Sequence, residues 1–172
     1  MRILIASDHA GFELKALLAG HAREAGHDVL DLGTATPESV DYPDFAHLLA
    51  RRLTAGGGDF GVLICGTGIG MSITANRHPA VRAALCHDAF TAEFARRHND
   101  ANIICMGGRT TGPGVAIQML DIFLATPFEG GRHQRRVDKV ELKPGPGVRG
   151  PGSGDDTARS AVPPNEDKER ES

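Results

Sequence analysis

The strongest constraint in this 172-residue chain is the character of its apolar runs. They are short, almost unbroken by polar residues, and nearly every one leads into a segment with helical spacing. Arg2–Ser7, Asp28–Leu32, Phe60–Cys65, Val81–Cys86 and Asn102–Met106 are such runs. A strand with one wet face alternates polar and apolar residues. A strand apolar on both faces belongs in a parallel sheet with helices on either side. Between the runs, Ala10–Gly26 carries Phe12, Leu14, Leu17, Leu18 and Ala22 at helical spacing, and Asp44–Ala55 places Phe45, Leu48, Leu49 and Leu53 on one face. Met71–Arg77, Asp88–His98 and Pro113–Ala125 also read as helices, and Gly130–Glu141 reads as a last, basic one. This alternation predicts a three-layer α/β domain: a parallel sheet of about five strands with helices on both faces.

The composition changes near Leu142. Residues 143–172 hold five prolines, five glycines and eleven charges, with Val148 and Val162 as the only sizeable aliphatics. Such a segment buries too little apolar surface to offset its ordering, which predicts a folded domain over 1–142 and a disordered tail over 143–172. No apolar run approaches the ~20 residues of a membrane-spanning helix. A net charge of −3 and a pI near 6.2 argue against a nucleic-acid partner. Three cysteines without a Cys-x-x-Cys pair argue against a disulfide scaffold or a zinc ribbon. The opening apolar stretch is too short for a signal peptide and ends at Asp8, so the chain reads as a soluble cytoplasmic protein.

In an open, Rossmann-like parallel sheet, ligands bind outside the carboxyl ends of the strands. The residues expected there are Ser7-Asp8-His9-Ala10-Gly11, Cys65-Gly66-Thr67-Gly68-Ile69-Gly70, Cys86-His87-Asp88 and Gly107-Gly108-Arg109. Three alternating glycines ahead of a helix let backbone N–H groups converge on an anion. The loop is not a dinucleotide fingerprint, because Met71 stands where the third glycine is needed, and it lacks the Gly-Lys-Ser/Thr of a phosphate-binding P-loop. A purely structural turn is the plainer alternative. Cys65 ends its strand beside these amides, a setting that favours thiolate, whereas Cys86 and Cys105 read as buried small hydrophobes. His9, His87, His98 and His133 have no metal-ligand spacing, so no metal is expected. Arg132 and Arg136 share a helix face with spacing i, i+4, either a solvated basic surface or a clamp for phosphate.

Taken together, these segments resemble the ribose-5-phosphate isomerase B family, which also contains the galactose-6-phosphate isomerase subunits. The matching stretches are Ser7-Asp8-His9-Ala10-Gly11, Asp41-Tyr42-Pro43, Cys65 to Ser72 with Ala75-Asn76, His98-Asn99-Asp100-Ala101-Asn102, and Gly130-Gly131-Arg132-His133 with Arg136. They run in the family's order across residues 3–140, while the tail has no counterpart and Arg77 stands where lysine is common.

The resemblance implies a cofactor-free aldose–ketose isomerase of the pentose phosphate pathway, acting through an enediolate on a phosphorylated pentose. It implies that Cys65 moves the proton between C2 and C1, and that the amides of Gly66, Gly68, Ile69 and Gly70 hold the developing oxyanion. His98, helped by Thr67, would open the furanose. Asp8 and Asn99 would hold sugar hydroxyls, His9, Arg132 and Arg136 the phosphate, and Tyr42 a wall of the pocket. It further implies a homodimer, possibly a tetramer, whose pockets are built partly from the neighbouring subunit. Six-carbon sugar phosphates such as allose or galactose 6-phosphate are the near alternative. A non-catalytic phosphosugar-binding module would not need Cys65 and His98, and a redox protein would need a resolving cysteine that the sequence does not place nearby.

Overall fold

The computed structural model describes residues 1–141; the expected tail lies outside them. Five strands, β1 (Arg2–Ser7), β2 (Asp28–Asp31), β3 (Phe60–Cys65), β4 (Ala83–Leu85) and β5 (Ile103–Gly107), form one sheet in the order β2-β1-β3-β5-β4, and every pairing is parallel. The helices are α1 (Phe12–Glu24), α2 (Tyr42–Thr54), α3 (Ile69–Ala75), α4 (Ala89–Asn99), α5 (Pro113–Ala125) and α6 (Arg132–Val137). The expected three-layer Rossmann-like architecture is what forms.

Alternate strand residues feed two separate cores. Ile3, Ile5, Val62, Ile64, Ile104 and Met106 pack against α1, α4 and α5. Leu4, Ala6, Leu63, Cys65, Ile103 and Cys105 pack against α2 and α3. This is why the runs are apolar at every position rather than at every second one. Cys105 and Cys86 are fully buried, and burial raises the Cys86 thiol to about 11 and the Cys105 thiol well above its ordinary value. Both behave as the small hydrophobes the sequence suggested.

Local chemistry fixes several helix ends. Asp88 and Thr91 form a capping box at the start of α4, with Asp88 Oδ1 accepting from the Thr91 N–H at 2.7 Å. Pro113 opens α5, where its missing N–H costs nothing. Asp100 ends α4 in the left-handed region at φ 45° and accepts from Arg82 (2.9 Å) and Arg96 (2.8 Å). Among the described residues, no helix is long and apolar enough to cross a membrane.

Some boundaries and faces differ from expectation. Asp8 accepts the Gly11 N–H at 3.0 Å and starts a single 3₁₀ turn, His9–Gly11, so α1 begins at Phe12 rather than Ala10. Leu17 and Leu48 are each 41% exposed, because the buried stripes run through Leu14, Leu18 and Ala22 on α1 and Ala46, Leu49, Ala50 and Leu53 on α2. Lys15 takes a place on the α1 core stripe. Its Nζ reaches Asp31 at 2.6 Å and the Thr34 carbonyl at 2.9 Å, which satisfies a charge otherwise too costly to bury. The basic helix α6 spans only Arg132–Val137, shorter than the expected Gly130–Glu141.

Candidate active site

From β1 the chain forms β2 on one side and then crosses over to form β3 on the other, so the crevice between β1 and β3 is the switch point at which such sheets bind ligands. Asp8 and His9 follow β1, and the Gly66–Gly70 loop follows β3. Gly68 sits at φ 78°, and a Cβ there would lie 2.6 Å from a Leu85 methyl and 2.9 Å from the Met106 carbonyl. Only glycine lets the loop descend this close to the sheet. Its N–H donates to Cys65 Sγ at 3.1 Å. Cys65 is buried, 5% exposed, with its sulfur turned toward the loop.

The amide of Ile69 reaches Thr67 Oγ1 at a long 3.4 Å, and Thr67 and Ile69 are themselves exposed. Gly70 lies against the ring of Tyr42, where a Cβ would come within 2.6 Å of the ring carbons, so Tyr42 forms a wall of this crevice. His9 Nδ1 accepts the Val40 N–H at 3.3 Å, which leaves its proton on Nε2 and available to a ligand. Asp8 Oδ1 is committed to the Gly11 amide.

His98, Asn99, Arg132 and Arg136 lie elsewhere. Helix α4 starts beyond the carboxyl end of β4 and ends just before β5, so its last turn stands at the opposite edge of the sheet from Cys65. Arg96 marks the place: its guanidinium sits 4.8 Å from the ring of Phe60, the first residue of the strand that Cys65 ends. Five residue steps of ~3.3 Å separate those ends by about 17 Å. At this second edge His98, Asn99, His133, Arg136, Val137 and Val140 line a cavity of about 250 Å³. The His98 and His133 rings stack at 4.0 Å and 10°, and Phe94 meets His98 edge-on at 4.6 Å.

Glu129 completes this cluster. It accepts from Arg97 Nε at 2.7 Å and from Arg97 Nη2, while one of its oxygens stands 3.6 Å from Nε2 of both His98 and His133. The Arg97 hydrogen bonds hold the Glu129 carboxyl below the usual carboxylate range. Burial, followed by the charges of His98 and Arg132, lowers the His133 pKa. Arg132 Nε donates to His133 Nε2 at 3.2 Å. One ligand atom from each of His98, Glu129 and His133 falls within 4.8 Å of the others, a donor set that could hold a divalent ion. Such an ion would compete with Arg97 for Glu129 and with Arg132 for His133.

The model of the family described as Ribose/Galactose Isomerase matches residues 3–140. The chain belongs to that family. It is 46% identical over 141 residues to the putative sugar phosphate isomerase YwlF of Bacillus subtilis, covering 81% of this chain and 95% of that protein. It is 41% identical over 139 residues to ribose-5-phosphate isomerase B of Escherichia coli, covering 81% and 93% respectively. Among solved structures it is similar to a ribose 5-phosphate isomerase of Thermotoga maritima, with a TM-score of 0.80 and 49% identity over 81% of this chain and 97% of that one.

The sequence reading of this isomerase-family chain placed Arg109 at the carboxyl edge without a role and did not single out Glu129. The Arg109 side chain runs along Gly66, with its Nε 3.7 Å from where a Cβ would stand, and its N–H donates to the Gly66 carbonyl at 3.0 Å. Its position after Gly107-Gly108 at the carboxyl edge was the signal. Glu129 carried no local signal, since its partner Arg97 is 32 residues away.

Proposed function

We propose that the chain interconverts ribose 5-phosphate and ribulose 5-phosphate, with Cys65 as the base that carries the proton between C2 and C1. The observation that carries this reading is the 3.1 Å contact between Cys65 Sγ and the Gly68 amide, within a chain whose relatives are named ribose-5-phosphate isomerase B. The proton on C2 is weakly acidic, so its removal needs the oxyanion stabilised as it forms. Amide donors fixed in place by the Gly66–Gly70 loop suit this, each worth about 3–4 kcal/mol when well aimed. The Ile69 amide gives up only a 3.4 Å contact with Thr67 when a substrate oxygen arrives.

Before this step the furanose must open. His98 takes the proton from the C1 hydroxyl, the C1–O4 bond breaks with its electron pair going to O4, and the same proton is delivered to O4. An imidazole suits a two-way transfer near neutrality. Thr67 steadies the opening ring, and Asp8 and Asn99 hold sugar hydroxyls. His9, Arg132 and Arg136 hold the phosphate, joined by Arg109.

His98 and Cys65 lie at opposite edges of one sheet, so a working site takes its base from one chain and its ring opener from another. The reading is therefore a homodimer with two shared sites, each closed by a partner's α4–α6 edge. The exposed Tyr42, Ile69 and Ile73 beside the glycine loop supply apolar surface for that contact.

Purified protein given ribose 5-phosphate in D2O tests the assignment: ketose should form with solvent deuterium incorporated at carbon. Absence of both from a folded dimer would overturn it. The same assay with allose 6-phosphate and galactose 6-phosphate separates five-carbon from six-carbon preference.

A further inference from the structure

We infer that Glu129 is a positioning residue for ring opening, holding His98 in the orientation that the proton shuttle needs; this rests on the reading of His98 above. The arrangement leaves Glu129 little other use. Arg97 takes its Oε1 through Nε and Nη2, and the Glu129 N–H donates to the Arg97 carbonyl at 3.0 Å, so the residue is anchored through both side chain and backbone. Arg97 is itself fixed by Glu93 at 2.7 Å and lies over the Phe94 ring. The second oxygen, Oε2, faces two imidazoles at 3.6 Å. His133 Nε2 accepts from Arg132 and carries no proton there. The proton that Oε2 can attract is therefore the one on His98 Nε2.

The consequence is a defined sequence of charge. His98 becomes imidazolium when it takes the C1 hydroxyl proton, and a carboxylate 3.6 Å away stabilises that ion as it forms. His133, stacked on His98, covers one face of the ring, and its own Nε2 is taken by Arg132. The charged and titratable groups set by His98 are Glu129 before α6 and His133 and Arg136 on α6. Glu129 is the acid among them whose oxygen reaches the imidazole.

The test separates ring opening from enolisation. Ribulose 5-phosphate cannot close a furanose ring, so exchange of its C1 protons with D2O needs Cys65 but not ring opening. Glu129→Gln keeps an acceptor for Arg97 and removes the charge. We expect the ratio of ribose 5-phosphate turnover to ribulose 5-phosphate exchange to fall about tenfold, the cost of losing an orienting outer carboxylate. Glu129→Asp, which withdraws the charge without deleting it, should fall between. An unchanged ratio in a folded Glu129→Gln dimer overturns the inference. His98→Asn is the separate control: if it turns over ribose 5-phosphate normally, the ring-opening role of His98 fails, whatever Glu129 does.

Discussion

The guanidinium of Arg96 lies 4.8 Å from the ring of Phe60, and this contact ties the last turn of α4, with His98, to the edge of the sheet where β3 begins. Cys65 stands where β3 ends. The two groups that the proposed reaction assigns to one site are thus held about a strand length apart within a chain, ~17 Å at 3.3 Å per residue.

Mixing two inactive variants tests the shared site directly. Cys65→Ala and His98→Asn should each be impaired as homodimers. Unfolding and refolding them together at equal concentration should restore activity to about a quarter of wild type, because half of the dimers are mixed and each mixed dimer has one intact site. Chains that work alone would give no recovery.

Cys65→Ala should cut turnover on the order of 10³-fold, within the range general base catalysis contributes, while circular dichroism and phosphosugar binding by calorimetry remain near wild type. The small side chain stands at the loop end of the core shared with α2 and α3, its sulfur on the Gly68 amide. A variant that retains full turnover would remove Cys65 from the mechanism.

Gly68→Ala should be costly to both stability and rate. A residue with a Cβ pays about 1–2 kcal/mol for the left-handed backbone, and here the added atom also meets the Met106 carbonyl at 2.9 Å, backbone that cannot rotate away. Chemical denaturation should show a loss of at least about 2 kcal/mol. A stable, fully active Gly68→Ala would mean that the loop sits higher above the sheet than described.

His78 supplies a pH prediction outside the site. Burial, then the charges of His47 and Arg51, lowers its pKa below the ordinary 6.5. Its Nε2 lies 2.8 Å from His47 Nδ1, a contact that needs one of the two nitrogens unprotonated. The unfolded chain therefore binds this proton more readily than the folded one. The stabilising contribution is complete above about pH 6.5 and is lost as pH falls through the lowered folded value. Urea midpoints measured from pH 7.5 to 5 should decline, and His78→Gln should flatten the decline. A slope unchanged in the variant would count against the pair.

Much of this was legible in the residues. Strands β1 and β3 have the expected limits because their apolar runs end at charge or glycine. Edge strand β4 is shorter than its run, since the Arg82 amide is taken by the Asn102 side chain at 2.9 Å rather than by a neighbouring strand. Helix α3 starts at Ile69, before the expected Met71, because the left-handed Gly68 turns the chain directly into it. The glycine loop, Cys65 and His9 gather at one edge as their places after strands required. The separation of His98 from Cys65 follows from the same alternation, but motifs quoted in sequence order conceal which edge each occupies. Leu17 and Leu48 were misplaced because hydrophobicity alone does not say which side of an amphipathic helix a single chain covers. Lys15 and Glu129 depend on partners distant in sequence, which periodicity does not reveal.

The flat contact between Tyr42 and Gly70 couples the first residue of α2 to the loop after β3. Any side chain at 70 would need the space the phenol ring fills, so the two positions can change only in concert. Reshaping the mouth of this crevice for a longer sugar would have to begin at residue 42, with the glycine following.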